Sequence, residues 1–325
     1  MTTQHMRPPT RDGVIRAAAK VAAILPETPL LRLDIDGATV WCKAECLQPI
    51  GAFKIRGAWH RLTDLSDEQR AARVVGVSSG NHAQGVAWSA RELGIRAAIV
   101  MPADAPKVKL ANTRALGAEV VLYDRASGED RDEVAGRLCA QRGATLVHAF
   151  ADPWVIEGQG STGIEIAAQM ERMAGGPPTR IVTPCGGGGL SAGLALACPD
   201  AEIVPVEPEG WDDVRASLAA GEIVPVPPGT PLGACDALQT PATRPINFAI
   251  LKQRCGFALV VTPAEVRAAQ RLAFEKLRLV VEPGGAAALA SVLAGKAQVD
   301  GRTAVVLSGG NVDAADYAAV LASAD

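Results

Sequence analysis

The 325 residues read as an α/β protein of two lobes, each an open, mostly parallel, twisted sheet covered by helices. Three observations predict this. Short apolar runs alternate with helix-length segments along most of the chain, the pattern of successive βα units, which join parallel strands by right-handed crossovers. Glycines at 94, 117 and 143 each stand between a helix-like segment and the next apolar run, where a helix C-cap belongs. Hydrophobic residues make up 48% of the chain but aromatics only 4%, so the core must be built from Ala, Val, Leu and Ile, as where helices pack on parallel strands.

In chain order, strands are expected at Val74 to Val77, Ala97 to Met101, Glu119 to Tyr123 and Thr145 to His148. Helices are expected between them at Ala83 to Leu93, Val108 to Leu116 and Glu129 to Gln141. These apolar runs are short and bounded by turn residues, which suits strands buried on both faces. The alternation resumes with a helix from Gly160 to Met173, strands Ile181 to Pro184 and Glu202 to Val206, helices Ala264 to Leu277 and Ala286 to Ala294, and a strand Thr303 to Leu307. The Pro- and Gly-rich stretch Ile223 to Gly233 reads as a surface loop.

The net charge is −3 with no long run of one sign, which argues against nucleic acid as a partner. No apolar stretch approaches membrane-spanning length, and Met1 to Arg7 are not followed by a hydrophobic segment, so no membrane partner is expected. The seven cysteines, at 42, 46, 139, 185, 198, 235 and 255, include no C-x-x-C pair. They read as buried thiols of a soluble protein in a reducing cytoplasm, not as a disulfide framework or zinc site.

The chemistry centres on Lys54, in Ile50-Gly51-Ala52-Phe53-Lys54-Ile55-Arg56-Gly57-Ala58. Desolvation among apolar and small residues disfavours an ammonium, so this amine would lose its proton readily and could attack an aldehyde to form a Schiff base, as lysines that carry pyridoxal phosphate do. A lysine at a helix start is more often simply exposed. Two loops favour the chemical reading. Gly186-Gly187-Gly188-Gly189 lies between the apolar run Arg180 to Pro184 and the helix-like Leu190 to Ala197, where convergent N–H groups and a helix N-terminus would cradle a phosphate. Ser78-Ser79-Gly80-Asn81-His82 follows a strand in the same way and offers N–H groups and short polar side chains for a carboxylate and a phenolic oxygen.

In this order the segments resemble the fold-type II pyridoxal-phosphate enzymes, of tryptophan synthase beta-like fold, and among them the serine/threonine dehydratase and serine racemase group. The likeness runs through Glu45 to Pro49, Phe53 to Gly57, Ser79 to Gly85, the tetraglycine, Val206 to Gly210, Val281 to Gly285 and Ser308 to Asn311. It implies a large cofactor-binding lobe from residues 1–72 plus 151–325, a small substrate lobe inserted at 73–150, and a homodimer. It also implies that Lys54 holds pyridoxal 5'-phosphate and moves the substrate Cα proton, with Phe53 beside the ring, Asn81 on the ring hydroxyl, Gly186, Gly187, Gly188 and Gly189 on the phosphate, and Ser308 at the pyridine nitrogen. Glu282 is expected to approach the ring or to cap a helix. Ser78, Ser79, Asn81 and His82 would surround the substrate carboxylate, Ser79 standing where racemases place an acid/base on the face opposite the lysine. Glu207, Asp213 and the backbone carbonyl of Trp211 align with a divalent-cation site suited to Mg²⁺ or Ca²⁺. Trp211 departs from the family's small residue there, and Ala52 stands where many relatives have serine.

Two competing motifs share the tetraglycine. Gly187-x-Gly189-x-x-Ala192, with Glu207 at the end of the following strand, fits a dinucleotide fingerprint and so an NAD-binding oxidoreductase, but leaves Lys54 and the Ser79 loop without a task. Gly189-Leu190-Ser191-Ala192-Gly193 matches a hydrolase nucleophile elbow, whose histidine must follow the serine; all four histidines, 5, 60, 82 and 148, precede it. The resemblance implies an ammonia-lyase that converts L-threonine or L-serine to 2-oxobutanoate or pyruvate and ammonia. The alternatives on the same scaffold are a serine or aspartate racemase, a 3-hydroxyaspartate dehydratase and a silent amino-acid-binding relative.

Overall fold

The computed structural model describes residues 7–78, 80–105, 107–124 and 127–323. The chain opens with α1 (Arg11–Ala22), whose first turn is capped by the Thr10 hydroxyl accepting from Gly13 N at 3.0 Å. A hairpin of β1 (Leu30–Ile35) and β2 (Ala38–Lys43) follows, turned by Asp36 and Gly37 at φ 49° and 83°. Left-handed backbone at both turn residues matches the twist of the flanking strands, which is why Asp-Gly serves here. Then come α2 (Lys54–Thr63) and α3 (Asp67–Ala72).

From β3 (Val74–Val77) to β6 (Thr145–Val147) strand and helix alternate, through α4 (Asn81–Glu92), β4 (Ala97–Pro102), α5 (Lys107–Ala115), β5 (Glu119–Tyr123) and α6 (Arg131–Arg142). Their strands form one parallel sheet in the order β5-β4-β3-β6. Gly94, Gly117 and Gly143 take φ of 66°, 87° and 61°, the conformation expected of residues that end helices.

The rest of the chain supplies α7 (Pro153–Met173), β7 (Arg180–Pro184), α8 (Gly189–Ala197), β8 (Glu202–Pro208), α9 (Asp213–Ala220), α10 (Pro245–Arg254), β9 (Leu259–Val261), α11 (Pro263–Leu272), α12 (Pro283–Leu293), β10 (Thr303–Val306) and α13 (Ala314–Ala322). A six-stranded sheet in the order β1-β2-β10-β7-β8-β9 results, antiparallel only between β1 and β2. The α/β fold with mostly parallel sheets is thus as the sequence predicts, and residues 223–233 carry no helix or strand.

Two helices differ from expectation. The helix expected from Gly160 begins at Pro153, because Asp152 caps it, accepting from Trp154 N at 2.9 Å and Val155 N at 3.2 Å, and Pro153 suits a first turn. The helix expected through Leu277 is α-helical only to Leu272 and widens into a π-turn over Ala273–Leu277 before Arg278 turns left-handed.

Helix α2, which begins at Lys54, is wedged between α4 and α7. A Cβ on Gly158 would lie 2.6 Å from the Arg56 carbonyl oxygen, so α7 crosses α2 backbone to backbone and only glycine fits. The same end of α2 is pinned by fully buried Arg56, whose guanidinium donates to Glu45 at 2.7 and 2.8 Å and to both oxygens of Glu165 at 2.7 Å. Buried Lys43 completes the network, 2.6 Å from Glu165 and 2.8 Å from Gln169. Removing one partner from such a buried cluster leaves an unpaired charge, typically at a cost of about 3–5 kcal/mol.

Candidate active site

A cavity of about 120 Å³ opens between the C-terminal ends of β3 and β7, walled by the segment 236–240. Phe53, Lys54, Ser78, Asn81, His82, Gly186 to Gly189, Glu282 and Ser308 all line it, although they are scattered over 256 positions of sequence from Phe53 to Ser308. Ser79 lies outside the described residues. Parallel βα units bring these parts together because each crevice-facing loop leaves a strand at its carboxyl end.

Lys54 donates from Nζ to the Ala149 carbonyl at 2.8 Å, with Nζ 5.2 Å from the centre of the Phe53 ring. Loss of hydration pulls its pKa down to about 8, so a substantial fraction of the amine is neutral near physiological pH. The Phe53 N–H donates to the Ser308 carbonyl at 3.1 Å, and Ala52 bridges Gly309, which ties the start of α2 to the loop after β10.

The tetraglycine joins β7 to α8, with Gly188 at φ 83° as the helix N-cap. A side chain at any of its four positions would crowd a neighbour. A Cβ on Gly187 would collide with the Phe150 ring, one on Gly188 would lie 2.7 Å from Leu251, one on Gly189 would lie 2.7 Å from Gln159 Oε1, and one on Gly186 would lie 3.2 Å from the Leu238 backbone. Among the described residues nothing accepts from the N–H groups of Gly186, Gly187 or Gly188. Unpaired donors beside a helix N-terminus form an anion site.

Asn81 begins α4 and is buried. Its Nδ2 donates to Glu282 Oε1 at 2.5 Å, while its Oδ1 accepts from Asn311 Nδ2 at 2.8 Å. Burial pushes the Glu282 carboxyl up to about 7, and its second oxygen has no partner among the described residues. Glu282 is also the residue before α12, but its side chain makes no capping bond.

His82 is buried with Nε2 2.9 Å from the Val147 carbonyl, and burial, then the Lys54 charge, lower its pKa to about 3. It is therefore neutral, its N–H is committed to Val147, and Nδ1 is an acceptor, so it offers no proton to a carboxylate. Ser78 Oγ accepts from Gly80 N at 3.1 Å, which shapes the loop in front of Asn81. His148 is hydrogen-bonded as an ordinary side chain, Nδ1 accepting from Ala151 N at 2.9 Å.

Several lining residues carry no motif and were not predicted: Lys109, Arg131, Asp132, Asp236, Gln239 and Thr240. Lys109 pairs with Asp236, and Asp132 accepts from Arg244 at 3.2 Å, so ion pairs cross from the four-stranded sheet's helices to the other side of the cavity. The positive charges of Arg131 and Arg244 add to burial in holding His148 down to about 3.

Glu207, at the end of β8, is fully buried and accepts from Val214 N at 2.9 Å and Arg215 N at 2.7 Å, which caps α9. Asp213 Oδ2 accepts from Thr243 N at 2.7 Å, whereas its Oδ1 has no partner among the described residues. Burial and the neighbouring Asp213 raise the Glu207 carboxyl well above its usual range. The Trp211 indole donates to the Pro231 carbonyl at 2.9 Å. Among the described residues no three His, Cys, Asp or Glu side chains form a metal-sized group, and no helix is long and apolar enough to cross a membrane.

The profile of the pyridoxal-phosphate dependent enzymes matches residues 22–309. The L-threo-3-hydroxyaspartate ammonia-lyase of Pseudomonas sp is 39% identical over 317 residues, 95% of this chain and 97% of that protein. The serine racemase of Schizosaccharomyces pombe is 36% identical over 95% of this chain and 96% of its own. The crystal structure of a T.th. threonine deaminase superposes with a TM-score of 0.86 at 41% identity, covering 94% of this chain and 99% of that one. A lysine of depressed pKa beside a ring of unpaired amides is thus explained: the chain belongs to the pyridoxal-phosphate dependent enzymes of fold type II, in the group of ammonia-lyases and racemases, and pyridoxal phosphate is its cofactor.

Proposed function

We propose that this enzyme is an ammonia-lyase for small β-hydroxy-α-amino acids, releasing a 2-oxo acid and ammonia. The observation that carries the reading is Lys54, an amine of pKa about 8 in the same cavity as the side-chain-free loop Gly186 to Gly189. The residues fit the cofactor, since the loop presents unpaired N–H groups for its phosphate and Lys54 an amine for its aldehyde. When bound, pyridoxal phosphate supplies an electron sink for the negative charge left at the substrate Cα. In this reading Lys54 holds the cofactor and moves the Cα proton, Asn81 and Glu282 fix the ring edge, Phe53 packs beside it, and Ser308 meets the pyridine nitrogen. A serine there does not enforce protonation of that nitrogen, which favours loss of a β-substituent over transamination. Ser78 and the α4 N-terminus would orient the carboxylate, with the small lobe of residues 73–150 carrying the substrate and residues 1–72 plus 151–325 carrying the cofactor.

Within this class L-threonine and L-serine are the simplest substrates. A specific observation favours 3-hydroxyaspartate as a second reading: Arg131 lines the cavity, a guanidinium that an α-carboxylate oriented by Ser78 and the α4 N-terminus leaves for a second carboxylate. The Pseudomonas relative, of similar length, is named for that substrate. The test is a panel of L-serine, L-threonine and L-threo-3-hydroxyaspartate with 2-oxo acid, ammonia and D-amino acid measured together. Formation of 2-oxo acid with equimolar ammonia from at least one of them is expected. D-amino acid as the main product would instead make the enzyme a racemase, with Ser79 as the candidate second acid/base. Homodimer assembly is proposed on the same family ground and is read by sedimentation. So is a Mg²⁺ or Ca²⁺ site, supported by two neighbouring buried carboxylates, Glu207 and Asp213, one of which has an unpartnered oxygen.

A further inference from the structure

Gln159, in α7, is fully buried beside the glycine loop yet poorly partnered. Its Oε1 has no partner among the described residues and stands against the first residue of α8, where a Cβ on Gly189 would lie 2.7 Å away. Its Nε2 reaches the Ala149 carbonyl only at 3.4 Å. That carbonyl is the acceptor to which Lys54 Nζ donates at 2.8 Å, and Ala149 lines the cavity. An N–H···O bond typically spans about 2.7–3.2 Å, so of the two donors Lys54 holds the carbonyl and Gln159 stands by. Packing keeps the side chain there: a Cβ on Gly57 would come within 3.1 Å of Gln159 Cγ, where α7 crosses the helix that Lys54 begins.

We propose that Gln159 is a positioning residue for Lys54: it takes over the Ala149 carbonyl when the amine leaves that carbonyl for the cofactor's aldehyde, and yields it when the amine returns. The inference rests on the reading of Lys54 as the cofactor's anchor. Joining the neutral amine to the aldehyde carbon expels the aldehyde oxygen as water together with both amine protons, so the nitrogen loses the N–H it gave to Ala149. A ligand in the cavity also keeps water from that carbonyl. An acceptor left bare in such a place is costly, and so is a buried amide with unused N–H groups; one bond between the two removes both penalties. Before capture the Gln159 amide is the group left short of a partner, and after it neither group is. Gln159 therefore favours the covalently held cofactor without touching it.

The experiment measures, on cofactor-free protein, the affinity for pyridoxal 5'-phosphate and for pyridoxine 5'-phosphate, whose hydroxymethyl group cannot condense with an amine. Wild type should favour the aldehyde. Gln159→Met, of similar length and without a donor, should cut that preference about tenfold by weakening the aldehyde alone. In wild type the Gln159 side-chain N–H resonance, assigned by its absence from Gln159→Met or Gln159→Glu, should move downfield with the aldehyde and stay in place with the alcohol. Equal loss of both ligands in the variant, an unchanged preference, or a resonance that responds to neither ligand or to both alike would each overturn the proposal. No preference in wild type would remove Lys54 as the anchor and this proposal with it, whereas a preference that survives in the variant leaves Lys54 in place and removes Gln159 alone.

Discussion

The Asn81 amide meets the Glu282 carboxyl at 2.5 Å inside the protein, and that carboxyl is held at about 7 by burial. Its ordinary value is 4.5, so folding raises it, and a raised carboxyl lends stability below the unfolded pKa and loses it as pH climbs through the folded one. Cofactor-free wild type should therefore lose on the order of 3 kcal/mol relative to Glu282→Gln as pH rises from below 4.5 to above 7. Glutamine keeps an acceptor for Asn81 and carries no charge. Denaturant midpoints of both proteins at pH 4, 6 and 8 measure this, and parallel curves would show that folding leaves the Glu282 carboxyl at its ordinary value.

Lys54→Ala should abolish the visible absorbance of the bound cofactor and lower turnover by roughly 10³-fold or more, since one side chain serves as covalent anchor and base. Near-normal absorbance and rate would remove Lys54 from its role. Only the neutral amine attacks an aldehyde, so capture of cofactor by the cofactor-free protein should rise about tenfold per pH unit below 8 and level off above it, following the amine's pKa of about 8. Stopped-flow absorbance from pH 6 to 9 reads the curve; a plateau already reached at pH 6 would place the pKa far lower.

Gly187→Ala puts a methyl group where the Phe150 ring stands, and the loop has to shift to admit it. Losing even one charge-assisted hydrogen bond to the phosphate should weaken cofactor binding about 10- to 100-fold. Fluorescence titration measures it. Unchanged affinity would mean that the phosphate is held elsewhere.

The parts of the site that announced themselves in sequence are those whose backbone must do something side chains forbid. Four consecutive glycines after an apolar run have few other uses, and Lys54 stood out because charge is rare in such a setting. Arg131, Lys109 and Asp236 were illegible for the opposite reason: each is an ordinary charged residue at the start of a helix or in a turn, and only folding brings them to one cavity. His82 could be located but not understood, because the Val147 carbonyl that takes its N–H comes from a strand 65 positions away. The early start of α7 was readable in principle from Asp152 and Pro153, a cap followed by a first-turn proline, but Gly158, Gly160 and Gly163 diluted the helical signal.

Glu207→Gln addresses the cation. An ion that binds only the folded state stabilises it by mass action, so wild type should melt higher with Mg²⁺ or Ca²⁺ than with EDTA, by about 2.7 kcal/mol at one hundred times the dissociation constant. The variant should show little of this shift. Equal melting of wild type in EDTA and in both ions would leave Glu207 as the cap of α9, which its bonds to Val214 and Arg215 already make it.

Arg131 separates the candidate substrates. It is the first residue of α6 and lines the cavity, 3.7 Å from Asp132, which in turn is held by Arg244. A substrate with a carboxylate in place of the threonine methyl would gain a charge-assisted hydrogen bond there, whereas L-serine and L-threonine have nothing to offer it. Arg131→Leu should then lower kcat/KM for L-threo-3-hydroxyaspartate by roughly 100-fold and alter the value for L-serine by less than about threefold. The comparison within one variant cancels any general damage to folding or cofactor binding. Equal losses on the two substrates would make Arg131 a structural partner of Asp132 and return the preference to the monocarboxylic hydroxy-amino acids.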